Sequence, residues 1–291
     1  MTLLHWLSPW EPSPTFVAVF LSFSVLYLRG TRRQHVSLDR QLAFWLGMAG
    51  IYIALHTRLD YYFERQFFLH RLQHLVLHHL GPFLIALGHP GAVLRAGMPV
   101  RVRQRVFNPF LRWPPVRYLL NVLLHPVVAV VLFTGIIYFW LASSVHFIAM
   151  LDWRLYRVMN WSVTVDGLLF WCLVLDRRPA PPARLSPGKR ILVIVAAAPP
   201  QIVLGAYVFF STHDRYPIYA LCGRALVGMS ALRDQQLGGL ILWIPGAMMS
   251  AVGALIALRH WLRLSARGRL RAGTRGAQLR RMSRWGMPSS R

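Results

Sequence analysis

Four histidines fall within FFLHRLQHLVLHHLG, residues 67–81, a stretch otherwise apolar enough to cross a membrane. On a helix, His70, His74 and His78 share one face at intervals of about 6 Å, while His79 points elsewhere. Gln73 lies beside them, and His56 closes the preceding apolar segment. Ionisable groups inside a bilayer are costly and face a cavity, a partner helix or a ligand. A single histidine there packs and hydrogen-bonds, but a stripe of three is a candidate metal or haem site. Imidazole and thioether dominate the donors of the apolar segments, and carboxylates are scarce. That mixture suits Cu(I) or haem iron better than Mg²⁺ or Ca²⁺.

The elements that must position these side chains are apolar helices. The chain of 291 residues is 55% hydrophobic and 14% charged, with a mean hydropathy of +0.42. A spanning helix needs roughly 20 mostly apolar residues, and the sequence predicts seven such segments, near 14–28, 41–56, 67–88, 118–141, 157–175, 191–212 and 238–258. The expected fold is therefore all-α, a polytopic membrane bundle over residues 1–262. An arginine-rich tail, 263–291, is expected to be disordered.

Lys and Arg of short loops are retained on the cytoplasmic side. The loops after the first, third and fifth segments, together with the tail, hold 25 of the 33 basic residues, with Asp39 and Asp176 their only acids. This predicts an amino terminus outside and a carboxyl terminus in the cytoplasm. His70 and His74 then sit in the outer half of the membrane, with His78 and His79 near its middle. The first segment has no positive charge before it and several after it, the reverse of a secretory signal, so it is expected to persist as an anchor. The formal charge of +24 reads as a topogenic and lipid-directed signal. The tail lacks the aromatic interleaving of a nucleic-acid binder, and no nucleic-acid partner is expected.

Other polar residues have a plain reading beside a functional one. Asp166 lies mid-helix in the fifth segment, where it must be protonated or paired with a neighbouring histidine or arginine; a proton relay is the sharper alternative. Asp234, before the seventh segment, is either a functional carboxylate or an N-cap for that helix. Gln235 and Gln236 could bind a partner or face water. Gly238, Gly239 and the pairs Gly246/Ser250 and Ala247/Ala251 read as small-residue helix contacts. His125, before Pro126, is expected to satisfy carbonyls freed by the proline. Cys172 and Cys222 fall on opposite sides and cannot approach within the roughly 7 Å of a disulfide. An unpaired Cys222 is a possible metal ligand or redox partner. There is no GxSxG, P-loop or HExxH, so no enzymatic activity is expected.

Several stretches carry a family resemblance: HRLQHLVLHHLGPFLIALGHP in the third segment, LLHPVVAVVLF in the fourth, DGLLFW in the fifth and LRDQQLGGLILWIPG entering the seventh. Over about residues 41 to 262 the chain resembles the polytopic CtaG-type cytochrome c oxidase assembly factors. The resemblance implies a bacterial inner-membrane protein that helps mature a haem–copper oxidase through copper supply. Its partners would be membrane lipids, oxidase subunits and a periplasmic copper donor. The family's HMxQH pattern falls on His70, Arg71, Leu72, Gln73 and His74, with Arg71 replacing the methionine. Two histidines expected ahead of GLLFW read Tyr156 and Asn160, and a tryptophan–histidine pair ending the fourth helix reads Phe139 and Trp140. The site is thus expected to rest on the third helix, with His70, His74 and His78 as ligands and His56, His146 or His213 as outer-side helpers. Two other readings stay open, a haem-binding redox protein and a copper transporter.

Overall fold

A computed structural model describes residues 6–226 and 228–268. Helices occupy all seven predicted segments, and no strand occurs among the described residues. We label them α1 (Pro14–Thr31), α2 (Leu38–His56), α3 (67–87), α4 (Pro126–Leu141), α5 (Trp153–Val174), α6 (Pro187–Phe209) and α7 (Ala231–Ala266). Short helices at Asp60–Arg65, Pro90–Gly97, Pro114–Leu123, Ser143–Leu151 and Ile218–Leu221 connect them. The predicted tail lies outside the described residues from 269 onward, and α7 runs past the expected boundary at 262.

Local chemistry sets the helix starts. Ser13 caps α1, its side chain accepting from the Phe16 N–H at 3.3 Å, with Pro14 at the first helical position. Asp152 caps α5 through the Arg154 N–H, 2.7 Å away, and Ser230 caps α7 through the Arg233 N–H at 3.3 Å. Each satisfies an amide that a helix start leaves without a partner.

Among the described residues α1, α6 and α7 are long and apolar enough to cross a membrane. The predicted fourth span is not one helix. Pro114–Leu123 and α4 meet at a bend of 72°, because Pro126 starts a new helix behind His125. The His125 backbone carbonyl accepts from Ala129 at 2.8 Å, so this residue serves α4 as its N-cap. The other helices are more polar or broken: α2 opens on Asp39 and Arg40, and α5 holds Arg157, Asn160 and Asp166.

The central α3 packs against α2, α5 and α7 and is itself divided. A π turn, Leu75–Leu80, separates Phe67–His74 from Gly81–Leu87, and the Gly81 N–H bonds the Val76 carbonyl five residues back. Pro82 follows with no N–H to donate, which frees the register just upstream. Gly167 of α5 lies against this turn, and a Cβ there would overlap the His78 carbonyl. The longest helix pair is α6 with α7, where a Cβ on Gly205 or on Gly239 would come 2.9 Å from the other's carbonyl oxygen. Gly238 admits the Phe67 ring, and Ser250 bonds the Gly246 carbonyl at 3.2 Å. Ala247 is half-buried and Ala251 exposed.

Candidate functional site

The start of α3 is held by α7. The Phe67 and Phe68 N–H groups donate to the Asp234 carboxylate at 3.1 and 2.8 Å, and Arg224 pairs with the same carboxylate. Asp234 therefore caps a helix, but the third rather than its own, whose cap is Ser230. A helix start attracts negative charge, and the expectation had the right chemistry on the wrong element.

One turn further, His70 is fully buried. Its ring centre is 4.5 Å from His74, 5.3 Å from His146, 6.0 Å from Tyr156 and 6.4 Å from Tyr219. The connecting helix Ser143–Leu151 brings His146 into this cluster. His146 Nδ1 lies 3.1 Å from the Trp140 carbonyl and Nε2 lies 3.0 Å from the Tyr219 hydroxyl. The carbonyl can only accept, so Nδ1 carries the proton and Nε2 accepts from Tyr219. In contrast, among the described residues no hydrogen bond of good geometry reaches either ring nitrogen of His70 or Nε2 of His74, the Gln73 amide standing near His70 and the Asn160 amide near His74. A neutral imidazole keeps one nitrogen lone pair. This buried pair can therefore offer two nitrogen donors to one ligand.

Gln73, on the same helix, is already engaged. Its amide nitrogen donates to the Ala54 carbonyl and to Asp60 Oδ1, both at 2.8 Å. Tyr156 donates to Asp60 Oδ1 at 2.7 Å and lies 3.2 Å from Gln73 Oε1. Asp60 belongs to the short helix Asp60–Arg65, outside the predicted spans, and burial pushes its carboxyl up to about 7. Burial also raises Glu64, to about 8, with the nearby Asp60 charge adding to the effect. This network missed notice in the sequence because Asp60 reads as one of several outer-loop acids, and nothing in its spacing points to Gln73.

Arg71 lies beside the histidine pair and is almost wholly buried. Among the described residues none of its three guanidinium nitrogens has a hydrogen-bond partner. Its guanidinium lies over the Phe67 ring, 5.4 Å from the centre. Among the described residues no carboxylate reaches it: Asp60 is held by Gln73 and Tyr156, Asp166 by His78, and Asp234 by Arg224.

The remaining candidates separate. His78, in the π turn, is 3.0 Å from Asp166 Oδ2 and stacks on Phe133 with centres 4.1 Å apart, so Asp166 is paired and His78 is committed to α5. His79 is buried edge-on to Phe133 and Trp171. A cavity of about 20 Å³ lies among Arg71, His74, His78, His79 and Gln201. His56 stacks on Phe16 at 4.8 Å, away from the cluster, and His213 is exposed. Gln235 is tied to the loop after α6, accepting from the Arg215 N–H at 2.8 Å and donating to the Val208 and His213 carbonyls; Gln236 is half-buried. Cys222 and Cys172 are free thiols, half-buried and exposed. The expected set of His70, His74, His78 and His56 is thus not brought together. Among the described residues no three His, Cys, Asp or Glu side chains are grouped to hold a metal ion.

No curated protein and no solved structure matches the chain. A family model for the cytochrome c oxidase caa3 assembly factor matches residues 24–264, which takes in the second half of α1 from Ser24, all of α2 to α6, most of α7 and the whole histidine cluster. The chain belongs to the cytochrome c oxidase caa3 assembly factor family.

Proposed function

We propose that this protein works in a bacterial inner membrane, amino terminus outside and carboxyl terminus inside, to help assemble a haem–copper cytochrome c oxidase. Copper is its cargo: a periplasmic donor supplies Cu(I), His70 and His74 hold it, and the oxidase subunit receives it. The observation that carries this reading is the adjacent pair of buried imidazoles, three of whose ring nitrogens have no hydrogen bond of good geometry among the described residues. A buried polar group without a partner costs free energy, and a soft cation that accepts two nitrogen ligands removes that cost. His146 supports the pair from its fixed position but has both nitrogens in use. Arg71 opposes a cation at close range, which suits a site that passes metal on rather than storing it. The role proposed is that of a chaperone without catalysis.

A haem reading needs room for a porphyrin, and the cavity beside His74 is about 20 Å³. A transport path needs further ligands toward the cytoplasm, where His78 is committed to Asp166. The test is Cu(I) binding by the purified protein against a chromophoric chelator, with a visible spectrum. The wild type should bind one Cu(I), and His70→Ala/His74→Ala should bind it at least about tenfold more weakly. A Soret band in the protein as purified would favour haem, and equal Cu(I) binding by the double variant would make both histidines packing residues.

A further inference from the structure

A groove of about 630 Å³ opens between α1 and α5 and is floored by α2. Phe16, Phe20 and Phe23 of α1, Phe44 and Met48 of α2, and Leu168 of α5 line it. It exists because α1 is fixed elsewhere. A Cβ on Gly30 would overlap the Val93 carbonyl and one on Gly97 would overlap the Leu26 carbonyl, so α1 crosses Pro90–Gly97 in backbone contact. Away from that crossing α1 meets α2 through side chains, Tyr27 stacking on Phe44 and Phe16 on His56.

At Gly91, Cys172 and Asp176 the groove continues into a basin of about 580 Å³. Arg40, Arg95, Arg177 and Arg178 line the basin, and Arg184 stands at the end of the groove. Among the described residues Asp176 is the only acid lining either, and it is paired with Arg178 at 2.7 Å. Five guanidiniums thus face one carboxylate. Arg40 donates to the Gly88 and His89 carbonyls at 3.1 and 3.2 Å and Arg95 to Asn108 at 3.3 Å, so each keeps unused N–H groups among its five.

An apolar groove beside a membrane helix is filled by hydrocarbon, and a basic basin at its end selects for negative charge. We propose that groove and basin together bind one anionic phospholipid, with an acyl chain against the α1 phenylalanines and the phosphate among the arginines. The site lies on the opposite face of α5 from the histidine cluster's tyrosine, and the inference does not depend on copper.

The test uses the full chain in a non-ionic detergent with added dioleoylphosphatidylglycerol, dioleoylphosphatidylcholine or inorganic phosphate. Phosphatidylglycerol should raise the melting midpoint by about 5 °C and slow N-ethylmaleimide modification of Cys172; the other two should do neither. Arg178→Gln/Arg184→Gln should lose the preference for phosphatidylglycerol over phosphatidylcholine. Gly91→Phe, at a position where an added side chain meets open space, should fold with an unchanged midpoint and lose the lipid-induced shift. Equal shifts with the two lipids, a shift with phosphate alone, or a full lipid shift in Gly91→Phe would each overturn the assignment.

Discussion

At the scale of single residues, His146 is held at both ring nitrogens, while His70 has no hydrogen bond of good geometry at either among the described residues. That contrast separates a structural histidine from a candidate ligand more sharply than position in the chain does. Arg71 is the residue that most weakens the site. It brings a positive charge, without a carboxylate partner among the described residues, beside the donors proposed for a cation. Replacing a buried ionic group by a packed apolar one stabilises by about 1–4 kcal/mol where the charge was poorly compensated. Arg71→Met keeps most of the volume, removes the charge and adds a thioether that Cu(I) favours. We predict a higher melting midpoint and Cu(I) binding tighter by about tenfold or more. Unchanged affinity, measured by chelator competition, would place the metal away from Arg71.

At the scale of elements, the contacts that align the site are those between α3 and its neighbours. The spacing of four residues legibly paired His70 with His74, because both lie in regular helix before the π turn. It failed for His78, which sits inside that turn and answers to Asp166 and Phe133. Nothing in the sequence announces where such a turn begins, although Gly81–Pro82 marks where regular bonding must give way. The partners of α3 are long-range, as with Asp60 to Gln73 and Asp234 to Phe67 and Phe68, and sequence spacing carries no signal for them.

The Asp60 network also has a pH signature. Its carboxyl titrates at about 7 in the fold against an ordinary value of about 4. Folding therefore favours the protonated form. The stabilisation is complete below about pH 4 and is lost as pH rises through 7, at most about 1.4 kcal/mol per pH unit. Glu64, raised to about 8, acts in the same direction. The melting midpoint should fall between pH 5 and 8. Asp60→Asn, whose amide oxygen can still accept from Gln73 and Tyr156, should flatten the fall, and an unaltered slope would assign it elsewhere.

At the scale of the whole molecule, composition made the helical membrane architecture legible, since seven apolar stretches each became helix. Their number as spans was less so, because Pro126 divides the fourth and polar residues interrupt others. The arginine distribution still gives the bundle a proposed direction. A periplasmic reporter fused after Arg263 should be inactive and a cytoplasmic one active. The reverse pattern would put His70 and His74 on the face away from a periplasmic donor.

The proposed function requires His70 and His74 to act in oxidase assembly. The most direct measurement is terminal oxidase activity and oxidase copper content in membranes of a deletion strain carrying His70→Ala/His74→Ala. With the variant inserted at the normal level, both should fall severalfold, and added copper should partly restore them by mass action. Wild-type activity and copper content in that strain would contradict the account.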